Sequence, residues 1–217
     1  MTLPQAPVAV LLDFDGVIVD SVALKIQAYF DVYEDATPAQ RERMSVLQRR
    51  HGGITRRIKF EWFEREIFGR TPTDAELDRL AAAYATRVHA AVIACPLIAG
   101  ALEFLDAAHS RSDLHVVSGT PQDELRDIVE RRGLARYFRS VSGAPETKPA
   151  AFARILATHD YPAARVVAIG DAITEFDAAE RLGVAFLGIT DARGNPFASD
   201  VAVLPTMEGA AARLGFD

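Results

Sequence analysis

The sequence predicts an α/β fold: a doubly wound, Rossmann-like parallel sheet with an α-helical cap inserted near its start. Two observations predict it. Short apolar runs at 8–12, 114–117, 166–169 and 184–189, with a weaker one at 201–204, read as buried strands separated mostly by helical patterns. The interval between Val19 and Cys95 holds no such run and carries helix signals instead. The expected division is an α/β core over residues 1–19 and 95–217 and a helical cap over residues 20–94.

The first run stops at Asp13-Phe14-Asp15-Gly16. Alternate side chains of an extended strand share a face, so the two carboxylates project together beside a glycine that frees the chain to turn. Carboxylates so placed repel. The pattern makes chemical sense where a cation offsets the repulsion, or where one acid is a nucleophile and its neighbour handles protons.

Within the cap interval, Thr37-Pro38 followed by Gln40, and Thr73 followed by Glu76, have the form of capping boxes. The spacing of Ile58, Phe60, Trp62, Phe63, Ile67 and Phe68 predicts a helix with a broad buried face. The run at 114–117 leads into Ser118-Gly119-Thr120-Pro121, where Thr120 reads as a helix cap and Pro121 as the first helical residue. Lys148-Pro149 falls in a loop rich in Gly, Ala and Pro, and the run at 166–169 ends in Gly170-Asp171.

Composition narrows the function classes. The chain has 217 residues, 49% hydrophobic and 25% charged, enough for a substantial core. A net charge of −6 argues against a nucleic-acid partner, which would need a basic face. No segment approaches the roughly 20 apolar residues that cross a bilayer, and nothing before Pro7 has the form of a signal peptide. Cys95 is the sole cysteine, which excludes an intramolecular disulfide and a zinc thiolate cluster. The expected location is the cytoplasm.

In open parallel sheets, ligands bind beyond the carboxyl ends of the strands. Three strand ends and one loop here supply Asp13 and Asp15, Ser118, Lys148, and Asp171, a set suited to phosphoryl transfer. Asp13, Asp171 and the backbone carbonyl of Asp15 offer hard oxygens for Mg²⁺. Asp13 would attack phosphorus while Asp15 protonates the leaving oxygen and then activates water. Ser118, the backbone at Gly119 and Thr120, and Lys148 would hold the phosphoryl oxygens.

These four motifs, in this order, resemble the haloacid dehalogenase superfamily, in the phosphoglycolate phosphatase and β-phosphoglucomutase-like branch with a helical cap after the first motif. The resemblance covers nearly the whole chain and implies a Mg²⁺-dependent phosphatase acting on a small phosphorylated metabolite. The acid at position 15 is similar to that of the family's phosphatases and phosphomutases, while dehalogenases and phosphonate-cleaving members lack it. Relatives commonly carry a second aspartate four residues after the first acid of the fourth motif. This chain has Glu175 there, which either reaches the metal or steadies Lys148.

By the same resemblance, the 52–57 stretch corresponds to the cap loop in which an arginine, here Arg56, grips the far end of the substrate. Arg87 falls where relatives place another cap cation, and Lys25 where many have histidine. A β-phosphoglucomutase-like sugar phosphomutase is the alternative activity. A receiver-type phosphoryl-accepting module and a silent binding protein are more distant readings, disfavoured by chain length and by the complete catalytic set. A cap in the same chain leaves a monomer or weak homo-oligomer sufficient.

Overall fold

The computed structural model describes residues 2–50, 54–190 and 194–216. Six parallel strands form one sheet in the order β3-β2-β1-β4-β5-β6. They are β1 (Ala9–Leu12), β2 (Asp113–Pro121), β3 (Ser140–Ala144), β4 (Val166–Gly170), β5 (Ala185–Ile189) and β6 (Ala202–Leu204). Strand order reverses at β1, which lies between β2 and β4, so the crevice where ligands bind in such sheets opens at its carboxyl end. The register aligns Leu12 with Val116 and with Ile169, so β1 and β4 end nearly level while β2 continues to Pro121.

Following β1, the described residues make α1 (Val22–Val32), α2 (Pro38–Arg50), α3 (Arg56–Trp62) and α4 (Asp74–Ala94), with a π-helical turn at Phe63–Ile67. After them come α5 (Ala101–Ala108), α6 (Gln122–Arg131), α7 (Lys148–Thr158), α8 (Ile173–Leu182) and α9 (Ala210–Arg213). Strand alternation divides the core in two. Val10, Leu12, Val167 and Ile169 join the cluster that contains α5, α6 and the cap aromatics, while Ala9, Leu11, Val166 and Ala168 pack against α7 and α8.

Both expected capping boxes form. Gln40 N donates to Thr37 Oγ1 and Thr37 N to Gln40 Oε1, and Thr73 and Glu76 exchange the same pair of bonds at the start of α4. The single aromatic helix predicted near Trp62 is instead split. Phe68 N donates to Phe63 O, an i→i+5 bond, and the extra residue in that turn keeps Phe63 and Ile67 inward while Ile58 is left exposed. Tyr29, Phe60, Phe63 and Tyr84 form the cap's aromatic core, with the Tyr29 centroid 5.2 Å from each Phe and 4.3 Å from Tyr84.

Three other expectations change. β3 carries no continuous apolar run, because it is an edge strand with only Ser142 and Gly143 buried. The helix after β2 starts at Gln122, so Pro121 is still extended and Thr120 is not its cap. Lys148 opens α7 with Pro149 beside it in the first turn, where a missing N–H is harmless, so it is not a loop residue. Among the described residues no helix is long and apolar enough to cross a membrane.

Phe63, 1% exposed, has Tyr29, Tyr33 and Phe60 rings around it. Phe63→Ala is expected to lower unfolding free energy by about 3–5 kcal/mol in urea titrations, through lost burial and an unfilled cavity.

Candidate active site

Strand parity decides where the first acid points. Asp13 follows Leu12 and therefore faces the side of Ala9 and Leu11, toward α7 and α8. There Lys148 Nζ donates to Asp13 Oδ2 at 2.7 Å and also to Glu175 Oε1, with all three side chains nearly inaccessible. Glu175 in turn accepts from Ala172 N at 2.9 Å, tying α8 to the end of β4.

Asp171, the residue after β4, comes to the same place. Ligand oxygens of Asp13, Asp171 and Glu175 all lie within 4.8 Å of one another. Gly16 makes this approach possible: it sits at φ +81°, and a Cβ there would stand 2.3 Å from Asp171 Oδ2. Three carboxylates against one ammonium leave two negative charges, and a hard oxygen set with that surplus fits a divalent cation such as Mg²⁺. Glu175 lies both in the acidic cluster and against Lys148.

Asp15 occupies a different setting. Its Oδ2 accepts from Ser118 and Thr120 hydroxyls at 3.3 Å each and lies 2.6 Å from Lys25 Nζ, while Oδ1 accepts from Ser21 at 2.5 Å. Ser118 Oγ also takes the Thr120 amide at 3.1 Å, so that amide already has a partner at the end of β2. Lys25 gives a further bond to Thr120 Oγ1 at 3.0 Å.

The two acids titrate in opposite directions. Burial raises the Asp13 carboxyl to about 7; Lys148 opposes this, and Glu175 and Asp15 add to it. Burial also acts on Asp15, but the charge and hydrogen bond of Lys25, together with Ser21, outweigh it and hold the group below the ordinary carboxylate range. Burial alone would lower Lys148, yet Asp13 and Glu175 hold its ammonium above the ordinary lysine value.

A cavity of about 550 Å³ opens over these groups, bounded below by Asp13, Asp15, Ser118, Gly119, Thr120 and Asp171 and above by the cap. Lys25 and Arg56 line it, and Arg56 is held by Glu124 of α6 at 2.6 Å with its guanidinium 5.0 Å from the Tyr84 ring centroid. Arg87 does not reach it. On α4 the buried face carries Tyr84 and Val88, which turns Arg87 outward to Glu34 at 3.6 Å and to the Ala83 carbonyl. Arg57 likewise pairs outside with Asp74 and Asp78. Gly52 and Gly53 of the expected cap loop lie outside the described residues.

Three residues in or beside this pocket are not singled out by the sequence motifs: Ser21, Lys59 and Glu124. A signal for Lys59 is present, since Arg56, Lys59, Phe60 and Phe63 recur at the i+3 and i+4 spacing of one helix face.

The residues at 8–183 match the family model described as haloacid dehalogenase-like hydrolase. The chain belongs to that family. A search of curated proteins gives no significant match. Among solved structures, a mutant CbbY from Rhodobacter sphaeroides in complex with xylulose-(1,5)bisphosphate is similar at TM-score 0.77 and 19% identity, covering 96% of this chain and 99% of that one. A predicted phosphoglycolate phosphatase from Haemophilus somnus 129pt gives 0.75 and 16%, over 96% and 98% of the two chains. YfnB from Bacillus subtilis bound to magnesium gives 0.73 and 16%, over 99% of each. At these identities the likeness is one of fold, and this haloacid dehalogenase-like hydrolase shares it over nearly its full length.

The raised Asp13 carboxyl has a stability consequence with a definite sign. Between an unfolded value of 3.8 and a folded value of about 7, the native state keeps a proton that the unfolded chain has released, so this group destabilises the fold as pH rises through that window. In EDTA, Asp13→Asn is therefore expected to gain unfolding free energy relative to the unaltered protein from about pH 4 to about pH 7, then level off. A pH series of urea denaturations with a flat difference would contradict this.

Proposed function

We propose that this protein is a Mg²⁺-dependent phosphomonoester phosphatase acting on a small phosphorylated metabolite through an aspartyl phosphate on Asp13. The observation that carries this reading is the meeting of Asp13, Asp15, Ser118 and Asp171 at the floor of one cavity, with Lys148 bonded to Asp13. Asp13, Asp171 and the Asp15 carbonyl would hold the ion, with Glu175 beside them; it would offset negative charge between carboxylates and the incoming phosphate.

Asp13 is the nucleophile because it is the acid at the strand end, fixed by the Lys148 ammonium and by Phe14 N at 2.7 Å. Lys148 and Ser118 face the transferred group and stabilise the charge that spreads over its oxygens. To protonate the leaving oxygen in the first step, Asp15 must first take up a proton from solvent, which requires the Lys25 ammonium to shift from Oδ2 toward the bound ester. In the second step, the four donors around Asp15 favour the carboxylate, the form able to take a proton from the attacking water. The buried roof formed by the cap keeps bulk water from competing.

The set is complete within one chain, so a monomer or weak homo-oligomer suffices. We place the activity in the cytoplasm, with neither nucleic acid nor membrane as partner.

A phosphate-release screen over phosphorylated metabolites tests the reading. Release is expected to require Mg²⁺, to stop with EDTA, and to fall at least about 1,000-fold in kcat for Asp13→Asn. Undiminished release in either case would exclude it. If phosphorus NMR showed an isomerised sugar phosphate and no free phosphate, the sugar phosphomutase alternative would replace hydrolysis.

A further inference from the structure

The described cations that line the cavity or touch its floor are paired with carboxylates, with one exception. Lys148 lies against Asp13 and Glu175, Lys25 is 2.6 Å from Asp15, and Arg56 is 2.6 Å from Glu124. Lys59 lines the same cavity, is only 6% exposed, and has no carboxylate at ion-pair distance among the described residues. A buried ammonium without a counter-charge is costly, so it is retained where something else supplies the charge. Burial, with Lys25 and Lys148 nearby, pushes Lys59 down to about 7 against the opposing charges of Asp15 and Asp171, so the carboxylates of the floor do not fully balance it.

Position says what would supply the balance. Lys59 stands on the inward face of α3, one turn after Arg56, so it reaches the cavity from the cap side. The transferable phosphoryl group is already served from the core side by Ser118 and Lys148. A cavity of about 550 Å³ also holds far more than that one group.

We infer that Lys59 is a specificity-determining residue that receives a second anionic group, a carboxylate or another phosphate, carried by the phosphate ester that this site cleaves. The inference rests on the phosphatase reading and adds the substrate class. Arg56, neutralised by Glu124 and stacked on Tyr84, shapes the wall beside that group, leaving Lys59 as the charge that reads it.

The test compares matched ligands on the full-length protein with Mg²⁺: 2-phosphoglycolate against ethyl phosphate, and fructose 1,6-bisphosphate against fructose 1-phosphate. Affinity is read by calorimetry in the Asp13→Asn background, where no turnover is needed, and kcat/KM is read in the unaltered background. Lys59→Met is expected to reduce the preference for the doubly anionic member of at least one pair by about 30-fold or more, the scale for removing one partner of a desolvated charge pair. Lys59→Arg should keep the preference within a few fold. Lys59→Gln serves in place of the methionine variant if circular dichroism shows that variant unfolded.

An unchanged preference in both pairs would overturn the inference. So would equal weakening of both members, which would place Lys59 on the transferable phosphoryl group, or no preference in the unaltered pocket. If the binding preference depends on Lys59 but no ester is hydrolysed, the anion site stands and the phosphatase reading falls. If esters are hydrolysed with a preference indifferent to Lys59, the phosphatase reading stands and the anion site falls.

Discussion

Four carboxylates gather at the carboxyl end of β1 and β4, and the neighbouring structure is organised by the need to balance them. Asp13 and Glu175 are almost inaccessible, so each needs a partner that also satisfies its oxygens. Lys148 meets this need for both at once, and α7 begins at that residue, which brings its ammonium under the strand ends. Asp15, two residues from Asp13, cannot share the same ammonium and draws on Lys25 of α1 instead. One cation comes from the core and the other from the first helix of the cap, so charge balance couples the two parts of the fold.

That coupling explains the chemical difference between two acids so close in sequence. Asp13 is surrounded by other carboxylates in a dry setting and holds its proton up to about pH 7 when no metal offsets them. Asp15 has four donors and stays ionised. Such environments separate the titration of neighbouring carboxyls, and a bound divalent cation would return Asp13 to the ionised form that nucleophilic attack requires.

Much of this is legible in the sequence because strand ends are legible. An apolar run followed by an acid or a hydroxyl marks a carboxyl end, and Asp13, Ser118 and Asp171 each follow such a run. β3 is not legible, since an edge strand needs only one well-covered neighbour and its Ser-Val-Ser-Gly-Ala sequence shows no apolar period. The cap reads correctly as helical but not in its facing. A helix turns about 100° per residue, so the difference between Tyr84, which lines the cavity, and Arg87, which points to Glu34, is a matter of rotation that spacing from a distant motif cannot supply. The same rotation, taken from Phe60 and Phe63, places Lys59 inward.

The cap is fastened to the core mainly through a single helix. Arg56 reaches Glu124 at the first turn of α6, His89 lies 2.8 Å from Asp127 at its middle, and Arg132 just beyond its end donates to the carbonyls of Val92 and Ile93 at 2.7 Å each. These links run along one side of the opening, whereas the opposite rim, which includes Asn195 and Thr206, has no comparable set of ties among the described residues. Because α6 follows directly from the strand that bears Ser118, the helix that anchors these ties and the hydroxyl at the cavity floor rest on one support.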